Sequence, residues 1–330
     1  MIGYHVIAQR RTQALRNACT FPNLTHFADP AWKLTPPASF LKTVPAIDQA
    51  QLDAALQDSL CGFAIVAAPL KERFSWTKKC LEAGKHVLVE TPLSFKRTEL
   101  QELSELAKTR DRNLQLGWYQ RWDEDCRVTR DLILKNPTRF KEIQWILKEP
   151  RFKHEAGLNA LALNTRPVKF LKEFVIHELD EIMFLFGPVV DFQVHSLELN
   201  EVGFRVKFEI ISENRSHNVS FFYNANHASD TYVQKMRFAP GEGFRSEADS
   251  WVTVPWYDRY LEAVKKETEV FLEDSIRTEL SKVDSNTIAE RTYEMETNLV
   301  VPEILKDIMS FTSTTYLTGT IPHPEIPAVV

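Results

Sequence analysis

The chain has 330 residues, 44% of them hydrophobic and 26% charged, with a formal net charge of −5. That length predicts two domains with ample core. The weakly acidic balance gives no reason to expect nucleic acid or a membrane surface as partner, and no run nears the roughly 18 apolar residues of a spanning helix. The amino terminus, MIGYHVIAQRR, has no long apolar stretch and no cleavage-like site, so a cytoplasmic location is expected. Cys19, Cys61, Cys80 and Cys126 lie far apart without metal-ligand spacing, the pattern of buried thiols in a reducing compartment.

Only Met1 and Ile2 precede Gly3, so a first strand is almost absent. Ile7 to Ala18, IAQRRTQALRNA, predicts a helix, and Leu24 to Ala28 a strand that ends at Asp29-Pro30. Val44 to Leu60 predicts a short strand and a helix with Asp48 as N-cap. Ala64-Ile65-Val66-Ala67-Ala68-Pro69 is an apolar run closed by proline and followed by an amphipathic helix. Gly84 caps that helix. His86-Val87-Leu88-Val89 is a second apolar run, stopped at Glu90-Thr91-Pro92 because proline does not continue a central ladder. Strand, helix and strand at this spacing make a βαβ unit and hence a parallel sheet. Ligands collect beyond the carboxyl ends of such strands, here Ala68-Pro69 and Glu90-Thr91-Pro92. A helix over Arg97–Arg110 and a strand from Leu114 to Tyr119 follow.

The second half reads differently. A helix over Asp123–Lys135 leads into strands: Phe140–Glu149, the alternating run Phe204, Val206, Phe208, Ile210, and Val219, Phe221, Tyr223. Further strands are expected near Gln193–Leu199, Tyr232–Phe238 and Trp251–Val254. Helices are expected to cover one face of this mostly antiparallel sheet. The other face, rich in large side chains, is a candidate dimer surface, unless those apolar groups are all intramolecular core. Phe174 to Gly187, FVIHELDEIMFLFG, predicts a helix on which Glu173, His177 and Asp180 share a face. Before it, Arg166, Lys169 and Lys172 form either a positive edge suited to an anionic substrate or a solvated basic loop. Trp256–Ile276 and Ile288–Ser310 predict two late helices.

Two stretches resemble a known family. Ala-Gly-Lys-His-Val-Leu-Val-Glu-Thr-Pro-Leu, around Gly84–Leu93, is similar to the signature of the glucose-fructose oxidoreductase/inositol dehydrogenase/MocA (Gfo/Idh/MocA) family, and the helix carrying His177 is a second match. The resemblance implies an α/β Rossmann-like domain over 1–118, its first strand truncated, then an α+β substrate and dimerisation domain over 119–330. It implies NAD or NADP as cofactor, a small-molecule substrate and a homodimer formed through the carboxyl-terminal sheet.

Carried over residue by residue, Gly3-Tyr4-His5-Val6-Ile7-Ala8 falls on the phosphate loop G-x-G-x-x-G. Gly3 keeps the first glycine. His5 takes the second, where backbone approaches the pyrophosphate, and Ala8 the third, where helix packs on sheet. Asp29 stands where an acid holds a ribose hydroxyl, or is a turn residue before Pro30. Pro69 and Glu90 mark the strand ends beside the nucleotide. Arg73, where the family often has histidine, either reaches a phosphate or is a solvated charge at a helix start. Arg121 matches a family arginine. Thr91 replaces the catalytic lysine.

The resemblance points His177 into a cleft facing Thr91, as proton donor or substrate ligand; the alternative is a packed histidine at the domain junction. His177, Tyr119 or groups of the substrate itself could compensate for the missing lysine, with Arg121, Arg166, Lys169, Glu173 and Asp180 toward the substrate. The function expected is hydride transfer between NAD(P) and a small carbonyl or imine. The alternatives are a non-catalytic binding or partner protein on the same scaffold, and a cofactor-independent enzyme in the same cleft.

Overall fold

The computed structural model describes residues 47–135, 140–148, 166–187, 189–199, 203–212, 215–224, 231–238, 250–255, 260–279 and 315–316, with Ile2, Arg11, Ala28, Ile304 and Ile308. The chain divides into two compact units, residues 1–126 with 259–302 and residues 127–258 with 303–330.

In the first unit, helix α1 (Gln49–Gln57) opens on a capping box: Asp48 accepts from the Gln51 amide, and the Gln51 side chain accepts from the Asp48 amide. Strand β1 (Phe63–Val66), helix α2 (Leu70–Glu82), strand β2 (His86–Glu90), helix α3 (Arg97–Thr109) and strand β3 (Leu114–Gly117) then alternate. The three strands pair in parallel, in the order β1-β2-β3. All five residues of β2 are buried, as a central strand of a parallel sheet requires. Gly84, at φ +71°, ends α2 in the left-handed conformation expected of a C-cap. On α3, Leu100, Leu103 and Ala107 form the buried stripe.

Among the described residues the first strand position is held by Ile2. Ile2 bridges Ala28 on one side and Val66 on the other, both in parallel. Its amide donates to the Ile65 carbonyl at 2.8 Å, and its carbonyl accepts from Ala67 at 2.7 Å. The order across the sheet is therefore Ala28, Ile2, β1, β2, β3. The chain leaves Ile2 toward Ala28 on one side, while β1, β2 and β3 follow on the other. Such a reversal is the topological switch point of an open α/β sheet.

After β3, a 3₁₀ turn (Tyr119–Trp122) leads to helix α4 (Glu124–Lys135), whose start is capped by Asp123 accepting from the Cys126 amide at 3.0 Å.

The second unit holds strand β4 (Phe140–Lys148), helix α5 (Arg166–Phe186), strands β5 (Val189–Leu199), β6 (Gly203–Ser212), β7 (Arg215–Asn224), β8 (Thr231–Phe238) and β9 (Ser250–Pro255), and the two-residue β10 (Thr315–Tyr316). The sheet order is β10-β5-β6-β7-β4-β8-β9. Pairing is antiparallel except for β4 with β7 and β10 with β5.

Phe204, Val206, Phe208 and Ile210 of β6 are buried, as are Val219, Phe221 and Tyr223 of β7. Helix α5 covers this face with Ile176, Leu179, Ile182 and Met183, and Phe186 stacks on His217 with ring centroids 4.3 Å apart. Gly187, at φ +88°, caps it. In β6 and β7 the large side chains lie mostly on this covered face, as in the intramolecular-core alternative. Outward positions of β6 and β7 carry Lys207, Glu209, Ser216, Asn218 and Ser220, which are exposed or half-buried. Phe222 lies buried under the Arg205 guanidinium.

The basic run is not a loop. Arg166, Lys169 and Lys172 fall within α5, whose backbone is helical from Arg166 onward. Pro167 in the first turn lacks only an amide that a helix start leaves unpaired, and no glycine interrupts the run.

Helix α6 (Tyr260–Glu279) comes late in the chain but belongs to the first unit. It donates its Phe271 ring to an edge contact with Phe63, and Asn113 Nδ2 donates to Ser275 Oγ at 3.2 Å. Among the described residues, no helix is long and apolar enough to cross a membrane.

Candidate functional site at the carboxyl ends of the parallel strands

Three strand ends meet here: Ala68-Pro69 after β1, Glu90-Thr91-Pro92 at β2, and Gly117-Trp118 at β3. The Thr91–Pro92 peptide bond is cis. Thr91, 3% exposed, donates its hydroxyl to the Gly117 carbonyl at 3.1 Å. Pro69 precedes α2, and its carbonyl accepts from the Glu72 amide at 2.8 Å.

Arg73 is not a solvated charge. It is buried, and its Nε donates to the Ala68 carbonyl at 2.8 Å. Its Nη1 donates to the carbonyls of Pro92, at 2.9 Å, and Glu90, at 3.4 Å. A guanidinium at the first turn of α2 thus ties the ends of β1 and β2 together, using a planar fork on backbone oxygens.

Among the described residues a buried charge cluster centres on Arg11, a helical residue that is 0% exposed. Its Nε donates to Glu90 Oε1, its Nη2 lies 2.7 Å from Glu267 Oε2 on α6, and its Nη1 donates to Thr268 Oγ1 at 3.3 Å. Burial by itself would lower the guanidinium pKa; the charges of Glu90 and Glu267 outweigh it and raise the pKa above its ordinary value. Gly117 makes room for the cluster. A Cβ there would lie 2.7 Å from Arg11 Nη2 and 2.9 Å from Glu90 Oε2.

Glu90, expected beside the nucleotide, therefore has its carboxylate turned to Arg11. Neither Arg11 nor Glu267 stands out as a site residue in the sequence. A signal was present: Arg11 falls between Ile7 and Leu15 at four-residue spacing, and Glu267 between Val264 and Phe271. Each is a charge on an apolar helical stripe, a place such groups occupy only when paired.

Tyr119 and Arg121, at 9% and 4% exposure, sit in the 3₁₀ turn of the first unit. His177 and Asp180 are on α5 in the second unit, His177 half-buried and Asp180 buried, each engaged in an interaction. Arg166, Lys169 and Glu173 lie in the first turns of the same helix. Gly3, His5, Ala8 and Asp29 lie outside the described residues. Among the described residues, no cluster of His, Cys, Asp or Glu could hold a metal ion.

The described part of the first unit fits a dinucleotide at the level of backbone topology. The Gly3–Ala8 segment begins directly after Ile2, at the switch point between Ala28 and Val66. The Thr91 hydroxyl has its proton committed to the Gly117 carbonyl.

Comparison with known proteins agrees with this geometry. Residues 1–118 match the family profile described as an oxidoreductase family with an NAD-binding Rossmann fold. An uncharacterised oxidoreductase, YdgJ, from Escherichia coli is 35% identical over 69 residues, which are 21% of this chain and 20% of that protein. An uncharacterised oxidoreductase from Schizosaccharomyces pombe is 34% identical over 82 residues, 25% of this chain and 22% of its own length. The matched regions thus span about a fifth of these curated relatives.

Fold likeness extends much further. A myo-inositol dehydrogenase from Corynebacterium glutamicum superposes with a TM-score of 0.68 at 13% identity, covering 95% of each chain. A 3-ketoreductase from Actinomadura kijaniata, solved with NADP, gives 0.67 at 15% identity, over 96% of this chain and 98% of its own. At such identities the likeness carries fold and nothing finer. Residues 1–118 thus carry the profile of the Gfo/Idh/MocA oxidoreductase family, and the fold of such oxidoreductases extends over nearly the whole chain.

Proposed function

We propose that the protein transfers a hydride between NAD(P) and a small carbonyl or imine substrate, through an atypical nucleotide site and without a catalytic lysine. The observation that carries this reading is the strand order Ala28, Ile2, β1, which starts the Gly3–Ala8 segment at the switch point where dinucleotides bind. Gly3, His5 and Ala8 would lie along the phosphates, and Asp29 would hold the ribose hydroxyl. The bound nicotinamide supplies the hydride chemistry, and the protein supplies orientation and a proton.

Thr91 is not that proton's source, because its hydroxyl already donates to Gly117. We assign the donor role to His177, with Tyr119 as the second candidate. Loss of a general acid typically lowers the rate about 10²- to 10⁴-fold. An iminium substrate needs less help from an acid than a ketone does. A homodimer through the second unit's sheet belongs to the same reading, and light scattering tests it.

A screen of carbonyls and imines, followed by nicotinamide absorbance, tests the reaction. In a substrate that turns over, His177→Ala is expected to lower the rate about 10²- to 10⁴-fold while the fold persists. An unchanged rate removes His177 from the mechanism.

One observation favours a second reading. The residue in the lysine position is both buried and hydrogen-bonded to backbone, as suits a non-catalytic binding protein on this scaffold, since fold alone does not fix function.

A further inference from the structure

Arg11 stands where three parts of the proposed site converge. It lies just beyond the Gly3–Ala8 segment in sequence. It reaches Glu90 at the end of β2 and Glu267 on α6. Glu90 immediately precedes Thr91, and Thr91 is joined to the end of β3 through the Gly117 carbonyl. Gly117 in turn admits the guanidinium, because a Cβ there would meet Arg11 Nη2 and Glu90 Oε2 within 3 Å.

A buried ionic cluster is a poor source of stability. Apolar residues of similar volume in its place are often neutral or better. The ionic cluster adds direction instead: a planar fork and two carboxylates fix the relative placement of the groups they join.

We propose that Arg11 is a positioning residue, which locks the Thr91 end of β2 to the helical backbone at Arg11 and to α6. These three elements then move as one body. The effect on NAD(P) affinity rests on the proposed function; the mechanical coupling does not.

Two variants test this. Arg11→Lys keeps one charge but loses the fork. The triple variant Arg11→Met/Glu90→Leu/Glu267→Leu removes all three charges and keeps the packed volume, so its fold is expected to persist. Amide hydrogen exchange by mass spectrometry is measured on the unliganded protein, over residues 86–91 and 114–118, with 97–109 as an internal reference. Thermal melting and NADH binding are measured in parallel.

We expect exchange at 86–91 and 114–118 to rise by about 10-fold or more in a variant that melts near wild type, with 97–109 unaltered. NADH affinity is expected to fall about 10-fold or more. A rise spread uniformly over all segments, together with lower melting, would indicate a purely structural role and overturn the proposal. Unaltered exchange in both variants would also overturn it, whatever NADH does. Should wild type not bind NADH while the local exchange rises as expected, the hydride-transfer reading falls and the positioning role stands.

Discussion

Thr91 donates its hydroxyl to the Gly117 carbonyl across 3.1 Å, joining the ends of β2 and β3. The one proton this side chain could offer is committed to backbone. Thr91 therefore acts on structure, and Thr91→Val is expected to destabilise the protein by about 1 kcal/mol. Urea denaturation checks this; a midpoint equal to wild type would show that the Gly117 carbonyl finds another donor.

Gly117→Ala is expected to cost about 1–3 kcal/mol, because its Cβ would fall 2.7 Å from a buried guanidinium held on both sides by carboxylates. Gly62 is the control. A Cβ there meets nothing within 4 Å, so Gly62→Ala is expected to be neutral or to stabilise by up to about 1 kcal/mol. Equal melting temperatures for the two variants would contradict the crowding around Arg11.

Arg73→Met removes the donor that serves the Ala68 and Pro92 carbonyls, at 2.8 and 2.9 Å. Hydrogen bonds from a charged group in a buried setting are each worth about 1.5–3 kcal/mol. A loss of that order or more is expected in chemical denaturation. An unperturbed midpoint, with weaker nucleotide binding, would instead assign Arg73 to phosphate.

Cys80 carries a pH signature. Burial pushes its thiol up to about 12, while an unfolded cysteine titrates near about 8.5. Between those values the unfolded chain loses a proton that the folded chain keeps, so stability is fully present below about 8.5 and falls as pH rises, by about 1.4 kcal/mol per pH unit. Cys80→Ala is expected to remove this increment of slope between roughly pH 9 and 11. Parallel slopes for wild type and variant would contradict the shift. The same burial predicts that Cys80 resists thiol reagents at neutral pH until the chain unfolds.

What was legible in the sequence was local and punctuated. The β2 strand, its stop at Pro92, the cap at Gly84 and the capping box at Asp48 each follow from residue type and spacing over a few positions. The alternation of β6 fixed its buried face in the same way. Ile2 is legible as part of a strand, and its bridges to Ala28 and Val66 give its place in the sheet order. The basic run before Phe174 leaves a positive edge and a solvated loop both open, because charge density does not reveal that a proline-started helix forms there. Arg73 misled, since a charge at a helix start is usually solvated. The pairing of Arg11 with Glu267 was not legible as a pair, because it joins opposite ends of the chain. Its only trace was two charges on apolar stripes. Helix α6 was read as a helix, but its place against the parallel sheet depends on that tertiary pairing.

The most direct measurement is a titration of the full-length protein with NADH and NADPH, followed by energy transfer from its tryptophans to the nicotinamide and checked by calorimetry. Micromolar binding of either nucleotide is the result expected of a working switch-point site, despite His5 in the loop. No binding up to millimolar concentration would contradict hydride transfer and leave the non-catalytic reading in its place.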